Sequence, residues 1–506
     1  MSKPNSTGPD GPTDAAVVGG AEPGIRPGRG PLATACLSTF VVNANTSAVS
    51  ILIPSISADL GTPVEVLQWA VTGYLLVGAA VIVTSGALGD VFGRRRLFLA
   101  GLALFVLSCV LIALAGTGLQ VVLGRLIQGA AGATILACGL SLLSVASSGA
   151  ARMRAVALWG AAAAAGAAAG PVLGGVLNEF TGWQGLFWID AAIAVACIAV
   201  TMGTVPESRD PDRPRKIDLA GTGLVAAALV PFVFAMTEGS SWGWLSPPTL
   251  LCLVLSVLAV IGFVLVERRV AAPLVDLALL RNMLLVGATG AILIGAGAIA
   301  ALSFLVSLYF QAPETLGMTS LQAGLATLPL AAVVVFIAPL VAPLAHYFGT
   351  RPVIVAGFVI LTAAFVVLAG VRPSWGYGAF VLPLIGVAVR LALSNSPSSA
   401  VATAAVKREQ VGAASGISNM ARYVGGAVMT AVVAGIYAKV ASRMETGGAA
   451  LADALAGGLS LASIALAVFS ACGVVLALLV ARRPAKPGLG DYATATSATT
   501  HTLPLS

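Results

Sequence analysis

Residues 68–116 read QWAVTGYLLVGAAVIVTSGALGDVFGRRRLFLAGLALFVLSCVLIALAG. Two apolar stretches, at 68–90 and 96–116, flank the short polar segment Asp90-Val91-Phe92-Gly93-Arg94-Arg95. An α-helix needs about 20 apolar residues to cross the hydrocarbon core of a bilayer. Each stretch has that length, so the segment predicts two membrane-spanning helices joined by a tight, positively charged turn.

The same pattern recurs along the whole chain. Hydrophobic residues make up 58% of the 506 residues and charged residues only 9%, whereas a soluble protein carries roughly 25% charged residues. A globule of this size cannot hide so much apolar surface from water, so the composition predicts an integral membrane protein. Fourteen stretches are long enough to span a bilayer, near 31–54, 68–90, 96–116, 119–146, 153–178, 183–204, 218–237, 247–266, 283–310, 321–345, 352–371, 377–399, 410–438 and 458–481.

The basic residues alternate between loops as the positive-inside rule requires. With the N-terminus placed in the cytoplasm, 21 of the 27 Lys and Arg residues fall in inside segments and three fall within helices. Only Arg372, Lys439 and Arg443 fall outside. A missed helix would scramble this alternation. The pattern therefore predicts a multi-pass protein of the bacterial inner membrane, with disordered cytoplasmic tails at 1–30 and 482–506.

An internal repeat supports two related halves. Four residues of the first basic turn and the next helix recur at an offset of 256 residues: Phe92, Gly93, Arg95 and Gly101 match Phe348, Gly349, Arg351 and Gly357. Secondary transporters are often built from such repeats. The spacing predicts an N-terminal six-helix bundle at 31–204, a linker with two inserted helices at 205–282, and a C-terminal six-helix bundle at 283–481.

The turn between the second and third spans carries a specific motif. Its G-x-L-x-D-x-x-G-R-R pattern resembles a signature of the major facilitator superfamily, and the chain from about 34 to 481 looks like the fourteen-helix drug:proton antiporters. The resemblance implies an all-α membrane fold of two six-helix bundles plus two inserted central helices. It also implies a gating latch in which an acid at a helix end pairs with an arginine. The residues concerned are Gly86, Asp90, Gly93, Arg94 and Arg95. A basic turn that only sets topology is the alternative.

The fourth span carries a second motif of the family. Arg125, Gln128 and Gly129 match its R-x-x-Q-G pattern. An arginine inside a membrane helix is costly and usually serves function. The alternative is an arginine that extends its side chain to the outer membrane interface.

The fifth span carries the motif that the superfamily associates with export. Gly166, Gly170, Pro171, Gly174 and Gly175 match G-x-x-x-G-P-x-x-G-G. Glycines permit close contact between helices, and a proline allows a bend. Generic packing of small residues is the alternative.

The chain departs from the family in the first span. The family usually has an aspartate there, but this chain has Asn45, which cannot carry a proton. Asp190 is the acid that falls well inside a predicted helix, at a position where similar proteins usually have Asn. Asp190 is therefore the candidate for proton coupling. The alternatives are an ion pair between Asp190 and Arg125, proton transfer at an interfacial acid such as Asp90, and a coupling scheme without these acids.

Polar residues in the spans give candidates for a substrate cavity. Arg390 lies some thirteen residues into the twelfth span, and Ser394 shares its face one turn on. A cation facing an aqueous cavity would attract a negatively charged substrate or a lipid headgroup. An arginine paired within the bundle is the alternative. Asn43, Asn45 and Gln311 are further candidates.

These observations predict a secondary transporter that exports amphipathic drugs, antibiotics or a secreted metabolite by alternating access coupled to protons. The alternatives are an uptake carrier or facilitator without proton coupling, and a membrane sensor or scaffold on a transporter fold. The sequence has no nucleotide-binding GxxxxGK[ST] loop and no catalytic or metal-binding constellation. We therefore expect no enzyme activity, no cofactor or metal and no nucleic-acid partner. The expected partners are a small-molecule substrate, protons and membrane lipid, with the chain acting as a monomer.

Overall fold

The computed structural model describes residues 28–147, 149–209, 218–270, 273, 275, 277–406 and 410–480. Within those ranges the regular structure is helical, as the all-α prediction requires. The predicted tails lie outside the described residues, except for 28–30, where α1 begins. The helices are α1 (Arg29–Leu60), α2 (Val64–Phe92), α3 (Arg94–Ala113), α4 (Gly118–Val145), α5 (Gly149–Thr181), α6 (Gln184–Thr204), α7 (Leu219–Trp242), α8 (Pro247–Glu267), the 3-10 helix η1 (Leu279–Arg281), α9 (Met283–Gln311), α10 (Ser320–Ala326), α11 (Leu328–Phe348), α12 (Thr350–Ala369), α13 (Tyr377–Ala404), α14 (Val411–Thr446) and α15 (Leu451–Val480).

The predicted number of spans is confirmed, because 14 helical segments in the described ranges are long and apolar enough to cross a membrane. The tenth span differs from its prediction in being divided into α10 and α11. Thr327 ends α10, and Pro329 occupies the first turn of α11. A proline is tolerated there because the first N–H groups of a helix have no partner within it.

The turns and loops that connect the helices lie at two opposite ends of the molecule. At one end, called the Gly93 end, the backbone N of Arg94 donates to the carbonyl of Ser208 over 3.0 Å. At the other, called the Thr62 end, the backbone N of Gly118 donates to the Thr62 hydroxyl over 3.3 Å. Since consecutive spans run in opposite directions, the loops that the charge pattern assigns to the cytoplasm lie at the Gly93 end.

The helices pack around two apolar cores. The first is built mainly by α1–α4 and α6, and the second by α9, α12, α13 and α15. Helix α14 belongs to both, since Tyr423 packs in the first core and Val433 in the second. It therefore connects the two halves of the chain.

Helices α7 and α8 lie at the side of this assembly. They pack against each other, and α7 also contacts α2 and α14. Only 11% of the most apolar window of α8 is buried, compared with 67% for α2. Its exposed side chains include Leu251, Val257 and Leu258. Exposure of these apolar side chains to water would be unfavourable, so the surface must face the acyl chains of a bilayer.

Candidate functional site

The turn between α2 and α3 brings Asp90 and Arg94 together. Nε and an Nη atom of Arg94 lie 2.9 and 2.8 Å from Oδ1 of Asp90, so the acid and the base of the predicted latch form an ion pair. Gly93 between the helices has φ 116°, a conformation that favours glycine. The sharp turn therefore depends on that glycine.

Glu207, just beyond α6, caps the start of α3. Its carboxylate accepts hydrogen bonds from the backbone N atoms of Arg95 and Arg96, at 3.1 and 3.2 Å. The Arg95 side chain donates to the carbonyl of Met202 over 2.6 Å. An anion at a helix N-terminus satisfies free N–H groups and complements the helix dipole. The sequence prediction missed Glu207, because its partners lie more than 100 residues away.

A polar network is buried inside the first core, and Arg125 of α4 is at its centre. The Arg125 side chain is fully buried. It donates from Nε to the carbonyl of Ala70 over 3.0 Å, and from Nη1 to Oδ1 of Asn45 over 2.6 Å. It also donates to Gln128, which in turn donates to Sγ of Cys109 over 3.0 Å. Arg125 therefore points into the bundle rather than to the membrane interface.

Asp190 of α6 completes the network. Nδ2 of Asn45 donates to Oδ2 of Asp190 over 2.7 Å, and the exposed fraction of Asp190 is only 4%. In the described part of the chain, the ion pairs within 4 Å are Arg94–Asp90 and Arg96–Glu207. Asp190 and Arg125 thus meet through the amide of Asn45 rather than directly. The three residues come from α1, α4 and α6.

The network extends to the contact between the two halves. The guanidinium carbon of Arg125 lies 4.2 Å from the ring centroid of Tyr74 on α2. That ring lies 6.4 Å from the ring of Tyr423 on α14. Gly78 makes room for Tyr423, because a Cβ atom at Gly78 would lie 2.5 Å from its ring. A chain of contacts therefore joins Asp190 to a helix of the other half.

The glycines of the α5 motif lie where the helix approaches two others closely. A Cβ atom at Gly166 or Gly170 would collide with the backbone of α1. At Gly175 it would lie 2.5 Å from the carbonyl oxygen of Ser320, at the start of α10. Gly324 of α10 in turn packs on the carbonyl of Pro171. The motif thus packs α5 against α1 of its own half and against α10 of the other half. Gly174 also packs closely against Ala48 of α1, and Gly129 of α4 packs closely against the backbone of Tyr74.

Gln311 lies at the Thr62 end, in a polar cluster between the halves. Its Nε2 donates to the carbonyl of Ile51 over 2.9 Å, and its Oε1 accepts from Ser320 over 2.9 Å. Ser320 also lies 2.9 Å from the Ser55 hydroxyl and 3.1 Å from Nδ2 of Asn178. We call Ser55, Asn178, Gln311 and Ser320 the closure cluster. Sequence reasoning identified only Gln311, because the other three carry no motif.

Arg390 of α13 is buried in the second core, with 3% of its surface exposed. It donates to the carbonyl of Ala291 over 3.2 Å and lies 4.6 Å above the ring of Phe358. Any side chain at Gly295 would occupy the space of its guanidinium group. Ser394 is also buried, with its hydroxyl 3.5 Å from the carbonyl of Ile354.

A second arginine of this half, Arg422 on α14, is half-buried. It donates to Oδ1 of Asn395 over 2.7 Å and to the Ser399 hydroxyl over 3.0 Å. Asn43, on α1, donates to the carbonyl of Thr39 over 2.8 Å. The structure therefore places Asn45 in the network of Arg125, Gln311 in the closure cluster and Ser394 one turn from Arg390, whereas Asn43 bonds to the backbone of its own helix. Groups of His, Cys, Asp and Glu that could hold a metal ion are absent from the described residues.

Fourteen spans in two packed halves, with buried ionisable groups in both of them, define a multi-pass membrane protein of the transporter type. Residues 35–430 match the family model of the Major Facilitator Superfamily, and the chain belongs to that family.

Several exporters are similar to this chain in sequence. The tetracenomycin C resistance and export protein of Streptomyces glaucescens is 30% identical over 402 residues, which cover 79% of this chain and 74% of the relative. The cephamycin export protein CmcT of Amycolatopsis lactamdurans is 31% identical over 408 residues, with 79% and 83% covered. The multidrug resistance protein Stp of Mycobacterium tuberculosis is 31% identical over 404 residues, with 79% and 74% covered. These names are those of transporters, which supports the prediction of a protein that is not an enzyme.

Solved transporter structures share the fold at low sequence identity. The POT family transporter PepTSo superimposes with a TM-score of 0.61 at 13% identity, covering 88% of this chain and 98% of that one. An auto-inhibited POT family peptide transporter gives a TM-score of 0.63 at 15% identity, covering 90% and 97%. The predicted major facilitator fold is thereby confirmed.

Proposed function

We propose that the protein exports amphipathic drugs, antibiotics or a secreted metabolite from a bacterial cell by exchange for protons. Relatives with about 30% identity are named as export and multidrug resistance proteins. The α5 motif is one that the superfamily associates with export, which supports this direction of transport. The observation that carries the proposal of proton coupling is the hydrogen bond between Asn45 and Asp190.

Asp190 has the properties that a proton carrier needs. It is a buried acid, and the amide of Asn45 links it to the cation of Arg125. Protonation would remove the negative charge that helps to balance Arg125 in an apolar core. Gain or loss of the proton would therefore change the energy of the whole network.

The contacts from Arg125 through Tyr74 to Tyr423 supply a route from that network to the other half. Alternating access requires the two halves to move relative to each other around a central site. A change in the position of Arg125 would shift the ring of Tyr74, and hence the surface on which α14 rests. We propose this route as the mechanical link between protonation and transport.

The closure cluster and the α5–α10 contact hold the halves together at the Thr62 end. The charge pattern assigns that end to the outside, with both termini in the cytoplasm. With the Thr62 end on the outside, these contacts would close the transporter to the outside. Opening would then require the breaking of the hydrogen bonds among Ser55, Gln311 and Ser320.

Arg390 and Arg422 suggest how the other half contributes. Both are cations in an apolar bundle, and Arg422 is the more accessible of the two. We propose that Arg422, held by Asn395 and Ser399, forms part of the substrate path, and that Arg390 lies behind it. The substrate candidates Asn43 and Ser394 remain predictions.

The test is the accumulation of a panel of labelled drugs and antibiotics in cells that lack their own exporters, with and without a protonophore. We expect lower accumulation in cells that express the protein, and loss of this effect with the protonophore. Asp190→Asn should also abolish it. Asp453→Asn, which changes an exposed acid at the Thr62 end, should have no effect. Efflux that persists with the protonophore would favour a carrier without proton coupling. If expression of the protein changed the accumulation of none of the compounds, the export proposal would be wrong.

A further inference from the structure

A groove lies at the Gly93 end, between the end of α8 and η1. It is open to the surface, has a volume of about 490 Å³ and is lined by Val264, Arg268, Leu277, Ala278 and Arg281. That volume is within the range of small-molecule sites, about 300–1,000 Å³. The groove lies outside the buried network and the closure cluster described above.

The charged side chains among the described residues that line the groove are two arginines. Arg268 follows the last residue of α8, Arg281 is the last residue of η1, and both are exposed. Neither arginine takes part in the ion pairs found within the described residues. Glu267, the acid beside Arg268, is buried and accepts a hydrogen bond from the backbone N of Val275. Two guanidinium groups at one groove fit an anion with several oxygen atoms, such as a phosphate group.

The wall of the groove continues into an apolar surface. Val264 lies one turn before Arg268 on the same face of α8, and the exposed Val260, Val257 and Ile261 extend that face along the helix. Because α8 is the least buried of the spans, this face is in contact with acyl chains in a membrane. The end of a span lies at the depth of the lipid headgroups.

We propose that this groove binds the headgroup of an anionic phospholipid, with the phosphate at Arg268 and Arg281 and an acyl chain along the exposed face of α8. A free phosphate ion would contact only the two arginines, whereas a phospholipid would also contact the apolar face of α8. Binding would anchor α8 and η1, and hence the start of α9, to the lipid at the Gly93 end.

The experiment uses the full chain, purified in detergent and titrated with phosphatidylglycerol, phosphatidylcholine of the same chain length, or inorganic phosphate. Bound lipid is counted by native mass spectrometry. Basic groups near a membrane surface contribute about 1 kcal/mol each, so Arg268→Gln with Arg281→Gln should weaken phosphatidylglycerol binding roughly 30-fold. Arg268→Lys with Arg281→Lys should retain most of it. The matched control, Arg152→Gln with Arg154→Gln, removes two exposed arginines at the same end of the molecule and should leave binding unchanged.

Three results would overturn the proposal. Equal binding of phosphatidylcholine would show that the charge is not recognised. Competition by inorganic phosphate at the same concentration as the lipid would show a free-anion site. Equal loss of lipid in the Arg152 and Arg154 control would show a general effect of net charge rather than a site.

Discussion

Asn45 on α1 and Asp190 on α6 form a hydrogen bond, with Nδ2 and Oδ2 2.7 Å apart, although 145 residues separate them in the chain. The resemblance to the drug:proton antiporters implies an acid in the first span and an amide in the sixth span. Here the amide and the acid occupy the opposite positions and still touch. The simplest physical interpretation is an exchange of the two side chains within one pair of positions, which keeps one carboxylate in the network of Arg125.

An exchange of the two side chains tests this interpretation. Asp190→Asn leaves Arg125 without a carboxylate in its network, and Asn45→Asp places two carboxylates in contact, so each single change should lower stability and export. The double variant restores one acid and one amide and should recover much of both. The coupling energy from thermal unfolding in detergent should be on the order of 1–3 kcal/mol. A double variant no better than the worse single variant would rule out the exchange.

Two glycines of the α2–α3 motif should respond differently to alanine. Gly93 has φ 116° and faces the Glu207 carboxylate, whose Cδ would lie 2.7 Å from an added Cβ atom, whereas an atom added at Gly86 meets nothing within 4 Å. We expect Gly93→Ala to cost about 1–3 kcal/mol of stability. Gly86→Ala should be close to neutral. Thermal unfolding of both variants tests this. An equal loss of stability in Gly86→Ala would show that the contacts in this structure do not explain the glycines of the motif.

Glu207→Ala should loosen the start of α3. The carboxylate satisfies the backbone N–H groups of Arg95 and Arg96, and loss of such a cap costs about 1 kcal/mol. Hydrogen exchange of the peptide that contains these amides should become about fivefold faster. Glu179→Ala, which removes an exposed acid from α5, serves as the control. Unchanged exchange in the Glu207 variant would mean that the cap contributes nothing to order in this turn.

Gly175→Ala should weaken the closure of the Thr62 end. The added Cβ atom would lie 2.5 Å from the carbonyl oxygen of Ser320 and 2.8 Å from Cα of Leu321, so α5 and α10 must separate. Spin labels at the exposed positions 180 and 325, in a cysteine-free background, report the distance between these helices. We expect a longer and broader distance distribution. Gly160→Ala on the same helix, where an added atom has no neighbour within 4 Å, should leave it unchanged. The same distribution in both variants would contradict the proposed closure.

The spans could be predicted from the sequence because about 20 consecutive apolar residues have one stable solution in a bilayer. The close approaches of Gly166, Gly170 and Gly175 also follow from their motif. The partners of buried polar groups could not be predicted in this way. Glu207 lies in a linker without a motif, and Gln311 proved to join the closure cluster with Ser55 and Ser320. Such contacts depend on how separate helices pack, and the spacing of residues along one helix carries no information about that packing.

The most direct test of the account is proton movement driven by substrate in liposomes that contain the purified protein. A transported compound from the accumulation panel is added to one side, and the pH inside is followed with a trapped dye. We expect the wild-type chain to move protons against the substrate, Asp190→Asn to bind substrate without moving protons, and Asn45→Asp with Asp190→Asn to move them again. Proton movement at the wild-type rate in Asp190→Asn would contradict the central claim that this buried acid carries the proton.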